Sequence, residues 1–125
     1  MDAIAAWIEA SPYARMLGVT VGEITPERAR LVLPFAEGNT NPGQVLHGGV
    51  AASLVALAGQ TVARAALAAE TAPFHSATLQ VTYLAAAKAE AVVAEARLLR
   101  AGKELCFADV QVRTQDGKAI AQGLV

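Results

Sequence analysis

The residues best placed to do chemistry stand together in Asn41-Pro42-Gly43-Gln44-Val45-Leu46-His47-Gly48-Gly49, directly ahead of a long apolar run from Val50 to Ala69. Gly38-Asn39-Thr40-Asn41-Pro42-Gly43 is a dense cluster of turn formers inside a loop expected over 35–46, and the run behind it reads as a buried helix. A helix start carries backbone N–H groups with no partner inside the helix, and these face whatever sits in front of them. Gly48 and Gly49 have no side chain, so they either let a bound group approach that backbone closely or serve only a tight turn into the helix. Any chemistry is expected here.

A helix of this length spans roughly 30 Å. Being apolar nearly all round, it has to be enclosed on most sides in a soluble protein. The rest of the chain supplies the cover. Residues 2–10 form an amphipathic helix with Ile4, Trp7 and Ile8 on one face, and Ser11-Pro12 reads as an N-cap followed by proline at the first position of a short turn to about Leu17. Residues 18–25 and 28–34 are strand-like and separated by Pro26-Glu27, the second alternating Ala29, Leu31 and Leu33 against Arg28 and Arg30.

Further strands are expected beyond the helix. In 89–100 the face Val92, Ala94, Ala96, Leu98 opposes Glu95 and Arg97, and in 103–114 the face Cys106, Ala108, Val110, Val112 opposes Asp109, Gln111 and Arg113. The stretch 75–84 alternates Ala77, Leu79, Val81 and Tyr83 with Ser76, Thr78, Gln80 and Thr82, and a last strand covers 118–125. The turns fall at Ala101-Gly102 and at Gln115-Asp116-Gly117-Lys118, whose Asp-Gly pair marks a tight hairpin. A twisted sheet of five or six such strands can curl round one helix, which predicts an α+β fold with a long central helix wrapped by a curved antiparallel sheet.

At 125 residues, 54% of them hydrophobic and with no linker-like stretch, the chain is expected to be one domain, 1–125. Ten basic residues against eleven acidic, scattered along the chain, argue against a nucleic-acid partner. Cys106 is the single cysteine, which excludes an intrachain disulfide, and its place in an alternating run favours a buried structural thiol over a nucleophile. Met1-Asp2-Ala3 lacks a basic leader, so a cytoplasmic location is expected. The run 50–69 nearly matches the roughly 20 residues that cross a bilayer. It contains Ser53, Gly59, Gln60, Thr61, Arg64 and much alanine, so no membrane association is expected.

Taken in order, Leu17-Gly18-Val19, Asn41-Pro42-Gly43, His47-Gly48-Gly49-Val50, Thr82-Tyr83 with Ala87-Lys88, Leu99-Arg100-Ala101-Gly102-Lys103 and Asp116-Gly117-Lys118 resemble a hotdog-fold acyl-CoA thioesterase of the PaaI-like, phenylacetate-degradation type. The resemblance covers most of the chain. It implies a helix wrapped by a sheet, subunits whose sheets join edge to edge into a homodimer, commonly a dimer of dimers, and hydrolysis of an acyl-CoA substrate without cofactor or metal. Edge pairing would also protect strands that a lone sheet leaves open.

The resemblance also implies roles. Thioester hydrolysis develops negative charge on the carbonyl oxygen, and Gly49 N–H at the helix start is the implied donor to it, with Gly48 giving room. His47 would lie near the thioester sulfur or hold the loop, Asn41 would add polar contacts, and Ser76, six residues before Thr82-Tyr83, would help position the attacking water. Each has a plainer reading: a capping histidine, a turn asparagine, an exposed strand serine. Lys88, Arg100 and Lys103 are candidates for the phosphates of CoA, or solvated surface charge.

One position departs from the pattern. Relatives carry an Asp or Glu nine residues after the histidine, as base or nucleophile, and here that position is Ala56, with no acid between His47 and Glu70. Gln60 shares a helix face with Ala56 and can orient water but not take its proton, or else it is a polar group bonded within the fold. Three functions follow: a thioesterase in which His47 or an acid such as Glu37 replaces the base, an acyl-CoA-binding protein that has lost catalysis, or a structural protein on the same fold.

Overall fold

The computed structural model describes residues 1–69 and 72–125. In chain order the elements are α1 (Asp2–Ala10), α2 (Pro12–Leu17), β1 (Thr20–Ile24), β2 (Arg28–Leu33), a 3-10 turn (Glu37–Asn39), β3 (Thr40–Asn41), β4 (Val45–Leu46), α3 (Gly48–Leu67), β5 (Gln80–Tyr83), β6 (Val92–Ala101), β7 (Cys106–Thr114) and β8 (Ala119–Leu124). The result is α+β, one long helix against an antiparallel sheet of six strands in the order β1-β2-β6-β7-β8-β5, with β3 and β4 forming a separate two-stranded ribbon.

Local chemistry explains the start of the chain. Asp2 sits in the first turn of α1, where the helix dipole favours a negative charge, and Ile4 and Ile8, one turn apart, are buried. Ser11 caps α2 by accepting a hydrogen bond from Ala14 N–H, Pro12 takes the first helical position, and Gly18 ends the helix at φ +89°. The second helix, α2, therefore starts and stops where its capping residues dictate.

The sheet pairs as its alternation requires. Register matches Leu31 with Ala94 and Ala96 with Val110, so the small and branched residues of β2, β6 and β7 share the face turned to α3. On the opposite face Glu95 meets Arg113 at 3.1 Å and Arg97 meets Asp109 at 3.6 Å, cross-strand pairs that hold the solvent side in register.

Leu54, Val55, Ala58 and Val62 of α3 are fully buried against that dry face. A methyl on Gly123 of β8 would lie 2.5 Å from Val55 Cγ1, so glycine there permits strand and helix to close on each other. The long helix has the length and apolar character of a bilayer span, yet 61% of its most apolar window is buried inside the fold, and the protein's own core accounts for that character.

The region after α3 differs from expectation. The strand expected over 75–84 shortens to Gln80–Tyr83, and 72–79 carries no regular structure. Its supposed dry face is wet: Leu79 is 43% exposed and Tyr83 56%. The reason is position, because β5 ends the sheet and, among the described residues, pairs only with β8. Val81 still packs on the core, while Ala77, Leu79 and Tyr83 are left exposed at the sheet edge.

Candidate functional site

The start of α3 is built by the ribbon and the loop before it. Gly43 and Gln44 both adopt positive φ, at 86° and 63°, which turns the chain back so that β3 and β4 pair. Buried Asn39 donates through Nδ2 to Leu17 O at 2.7 Å and accepts His47 N–H on its own carbonyl at 3.0 Å. Asn39, not Asn41, is thus the asparagine that fastens this loop to the fold. Asn41 is exposed in the turn, accepting Gln44 N–H on its carbonyl.

His47 is the N-cap of α3, and its Nδ1 accepts Gly49 N–H at 2.8 Å. A ring that accepts at Nδ1 carries its proton on Nε2, so the exposed edge of His47 presents an N–H donor and not a base. The Gly49 amide expected to face a substrate is therefore occupied by this cap. Val50 and Ala51 both donate to His47 O, which leaves Gly48 N–H as the first-turn amide without an intrachain acceptor among the described residues.

Aromatic and hydroxyl groups frame that amide. Tyr83 donates to Gly48 O at 2.8 Å, and a methyl on Gly48 would come within 3.2 Å of the Tyr83 ring, a tight contact that glycine avoids. Ser53 donates to Gly49 O at 2.9 Å and lies 2.8 Å from the Tyr13 hydroxyl, which ties α2 to the same turn. Lys88 joins this end of the molecule through its bridge to Val45.

A second feature lies along the far half of α3. An open groove of about 330 Å³ is lined by Gly59, Gln60 and Ala63 of α3, by 74–78, by 104–108 and by Val125. Phe74, Leu105, Phe107 and Val125 make its walls largely apolar, while Gln60, His75, Ser76 and Glu104 supply polar atoms. Arg100 and Lys103 sit exposed on the β6–β7 hairpin, whose turn and β7 strand form one wall. Cys106 lines this groove and is half-buried rather than fully enclosed.

The proposed site residues thus divide into two groups. Asn41, His47, Gly48, Gly49 and Lys88 gather at the start of α3; Gln60, Ser76, Arg100 and Lys103 gather at or beside the groove. Thirteen residues of helix separate His47 from Gln60, about 20 Å at 1.5 Å per residue. Within one chain they do not meet. Ala56 lies between them, half-buried on the uncovered side of α3.

Sequence reasoning did not assign Tyr13, Ser53, Tyr83, His75, Glu104 and Phe107 to these places. Only the Thr82-Tyr83 pair carried a local signal; the others converge from distant parts of the chain. A further open depression, lined by Arg28, Glu95, Arg97, Asp109, Gln111 and Arg113, lies on the outer face of the sheet, where arginines already match both carboxylates.

Comparison with known proteins converges on one family. The model of the acyl-CoA thioesterase N-terminal domain matches residues 36–125. Human acyl-coenzyme A thioesterase 13 is 34% identical over 126 residues, covering 98% of this chain and 88% of that protein. Among solved structures, zebra fish thioesterase superfamily member 2 has a TM-score of 0.83 at 32% identity, covering 97% of this chain and 89% of its own. A thioesterase family protein from Silicibacter pomeroyi reaches a TM-score of 0.89 at 22% identity, covering 98% and 92%, and speaks for the fold alone. The ordered motifs, the helix wrapped by its sheet and the matched relatives agree: this chain belongs to the acyl-CoA thioesterase family and has the hotdog fold.

Proposed function

We propose that the protein hydrolyses acyl-CoA thioesters at a site shared by two copies of the chain, the start of α3 from one and the groove from the other. The observation that carries this reading is the helix start itself, where Gly48 N–H is left open beside the outward Nε2–H of His47. Two donors at the positive end of a long helix suit the oxyanion that forms as water adds to the thioester carbonyl. Water oxygen then bonds to the carbonyl carbon, the carbon–sulfur bond breaks, and the CoA thiolate takes a proton, giving a carboxylic acid and free CoA.

The attacking water needs a proton acceptor, and neither Ala56 nor the donor edge of His47 supplies one. The groove does, through His75 and Glu104, which stand with Ser76 and Gln60 to hold and deprotonate the water. Its apolar walls suit an acyl chain, and a volume of about 330 Å³ lies at the lower end of the range of ligand pockets. Lys88, Arg100 and Lys103, all exposed, are placed to meet CoA phosphates.

The same features support dimer formation. Among the described residues nothing pairs with the outer edge of β5, and Leu79, Tyr83, Leu84, Leu105 and Phe107 are exposed. Pairing of two β5 edges would cover these residues and carry one helix start toward the other copy's groove. A dimer of dimers in the cytoplasm completes the proposal.

Release of CoA thiol from short, long and aryl acyl-CoAs tests it, with turnover expected on at least one. No turnover on any ester, with binding retained by calorimetry, would overturn hydrolysis in favour of acyl-CoA binding alone. A monomer by sedimentation at micromolar concentration would overturn the shared site.

A further inference from the structure

Arg64 occupies a place where the long helix would ordinarily carry an apolar residue. It is 1% exposed, in the last turns of α3. Its guanidinium carbon lies 3.9 Å from the centre of the Trp7 ring on α1 and 4.9 Å from that of Phe74, while Nη1 donates to Ala72 O at 2.6 Å. A charged side chain is costly to bury, and arginine's planar, weakly hydrated guanidinium bears that cost better than lysine's ammonium does. The planar group is instead recovered by two aromatic faces and a carbonyl.

Both aromatic partners matter for what they belong to. Phe74 is a wall of the groove that also holds His75 and Ser76, and Ala72 lies just before it. Trp7 belongs to α1, so the guanidinium touches both that helix and the wall. Segment 72–79 has no strand ladder of its own to fix it, so the Arg64 contacts take the place of one.

We infer that Arg64 is a positioning residue for acyl recognition, a cation clasped between Trp7 and Phe74 that holds the Phe74–Ser76 wall of the groove against the body of the fold. The inference rests on the groove's being the acyl site. It makes α1, which lines no part of the groove, a determinant of acyl preference.

The test uses S-decyl-CoA, a thioether with no carbonyl to cleave, and CoA itself, both titrated by calorimetry into the full chain. Wild type is expected to bind S-decyl-CoA more tightly than CoA. Arg64→Met and Trp7→Leu should each weaken S-decyl-CoA binding about tenfold while leaving CoA unchanged, and Arg64→Lys should recover part of the loss. Trp7 is the only tryptophan, so its emission in the unmodified protein should shift on adding S-decyl-CoA and stay constant with CoA. Should Arg64→Met fail to fold, Trp7→Leu decides, because that ring is already 38% exposed.

Folded variants with wild-type affinity for S-decyl-CoA, or with equal losses for both compounds, would overturn the positioning role while leaving the groove as the acyl site. Constant Trp7 emission with S-decyl-CoA bound would do the same. Equal affinity of wild type for the two compounds would overturn the groove assignment, and this inference with it.

Discussion

The start of α3 and the groove along its second half solve different problems by different means. The first is made almost wholly of backbone: a cap, a free amide and two glycines, held by a ribbon that closes within ten residues. The second is made of side chains drawn from α3, the segment before β5, the β6–β7 hairpin and the C-terminal residue. A helix terminus polarises whatever charge develops before it, but it cannot take up a proton or tell one acyl group from another. Those tasks need groups that only tertiary folding brings together. Ala56 falls between the two regions, half-buried on α3 and outside the groove lining.

The sharpest test of this division is to restore the acid. With His75 and Glu104 serving as the base, Ala56→Asp should leave kcat nearly unchanged, as measured by CoA release under saturating substrate; a gain of about 10²–10⁴-fold would show that neither group fills that role.

At the other half, His47→Asn keeps a competent N-cap but removes the outward N–H. It should lower kcat by about 10²-fold with little change in Tm. His47→Ala should lose as much rate and also about 1 kcal/mol of stability by thermal unfolding. An unchanged rate in His47→Asn would reduce this histidine to a cap.

Ser76→Ala removes one hydrogen bond to water and should slow turnover about tenfold. Mixed with His47→Asn by co-refolding, it should restore about a quarter of wild-type activity, since half the dimers are mixed and each carries one complete site. Activity no higher than the average of the two variants would break the idea that the halves meet between copies.

The smallest effect lies outside both regions. In the β7–β8 turn Asp116 accepts a hydrogen bond from Thr114 Oγ1, and this bond holds its carboxyl below the ordinary carboxylate value. A carboxyl with a lowered folded pKa contributes stability above its unfolded pKa and loses it as pH falls through the folded one. Asp116→Ala should therefore lower Tm slightly at neutral pH, the difference from wild type vanishing in acid, with turnover unaffected.

Much of this was legible in the residues. Ser11-Pro12 marked the start of α2 because capping is a local matter, and the alternating faces of β6 and β7 were visible because their period survives in a half-buried strand. The same alternation misled over 75–84, where it marked a face left open at the sheet edge. His47 was legible as a cap or a site residue, but nothing in the sequence said that its Nδ1 would occupy the Gly49 amide and leave that of Gly48 open. Arg64 read as one polar residue among several against a membrane span; its clasp between Trp7 and Phe74 depends on partners 57 residues before it and 10 after it.

The sequence by itself determined the class of fold, the long buried helix, the chemical character of its start and the absence of an acid at Ala56, because caps, periodicity and residue type act over a few neighbours. Only the tertiary structure decided which amide stays free, which residues share the groove, and that the two halves lie about 20 Å apart in one chain. Those outcomes depend on strand order and on the angle at which distant segments pack, and no local spacing encodes either.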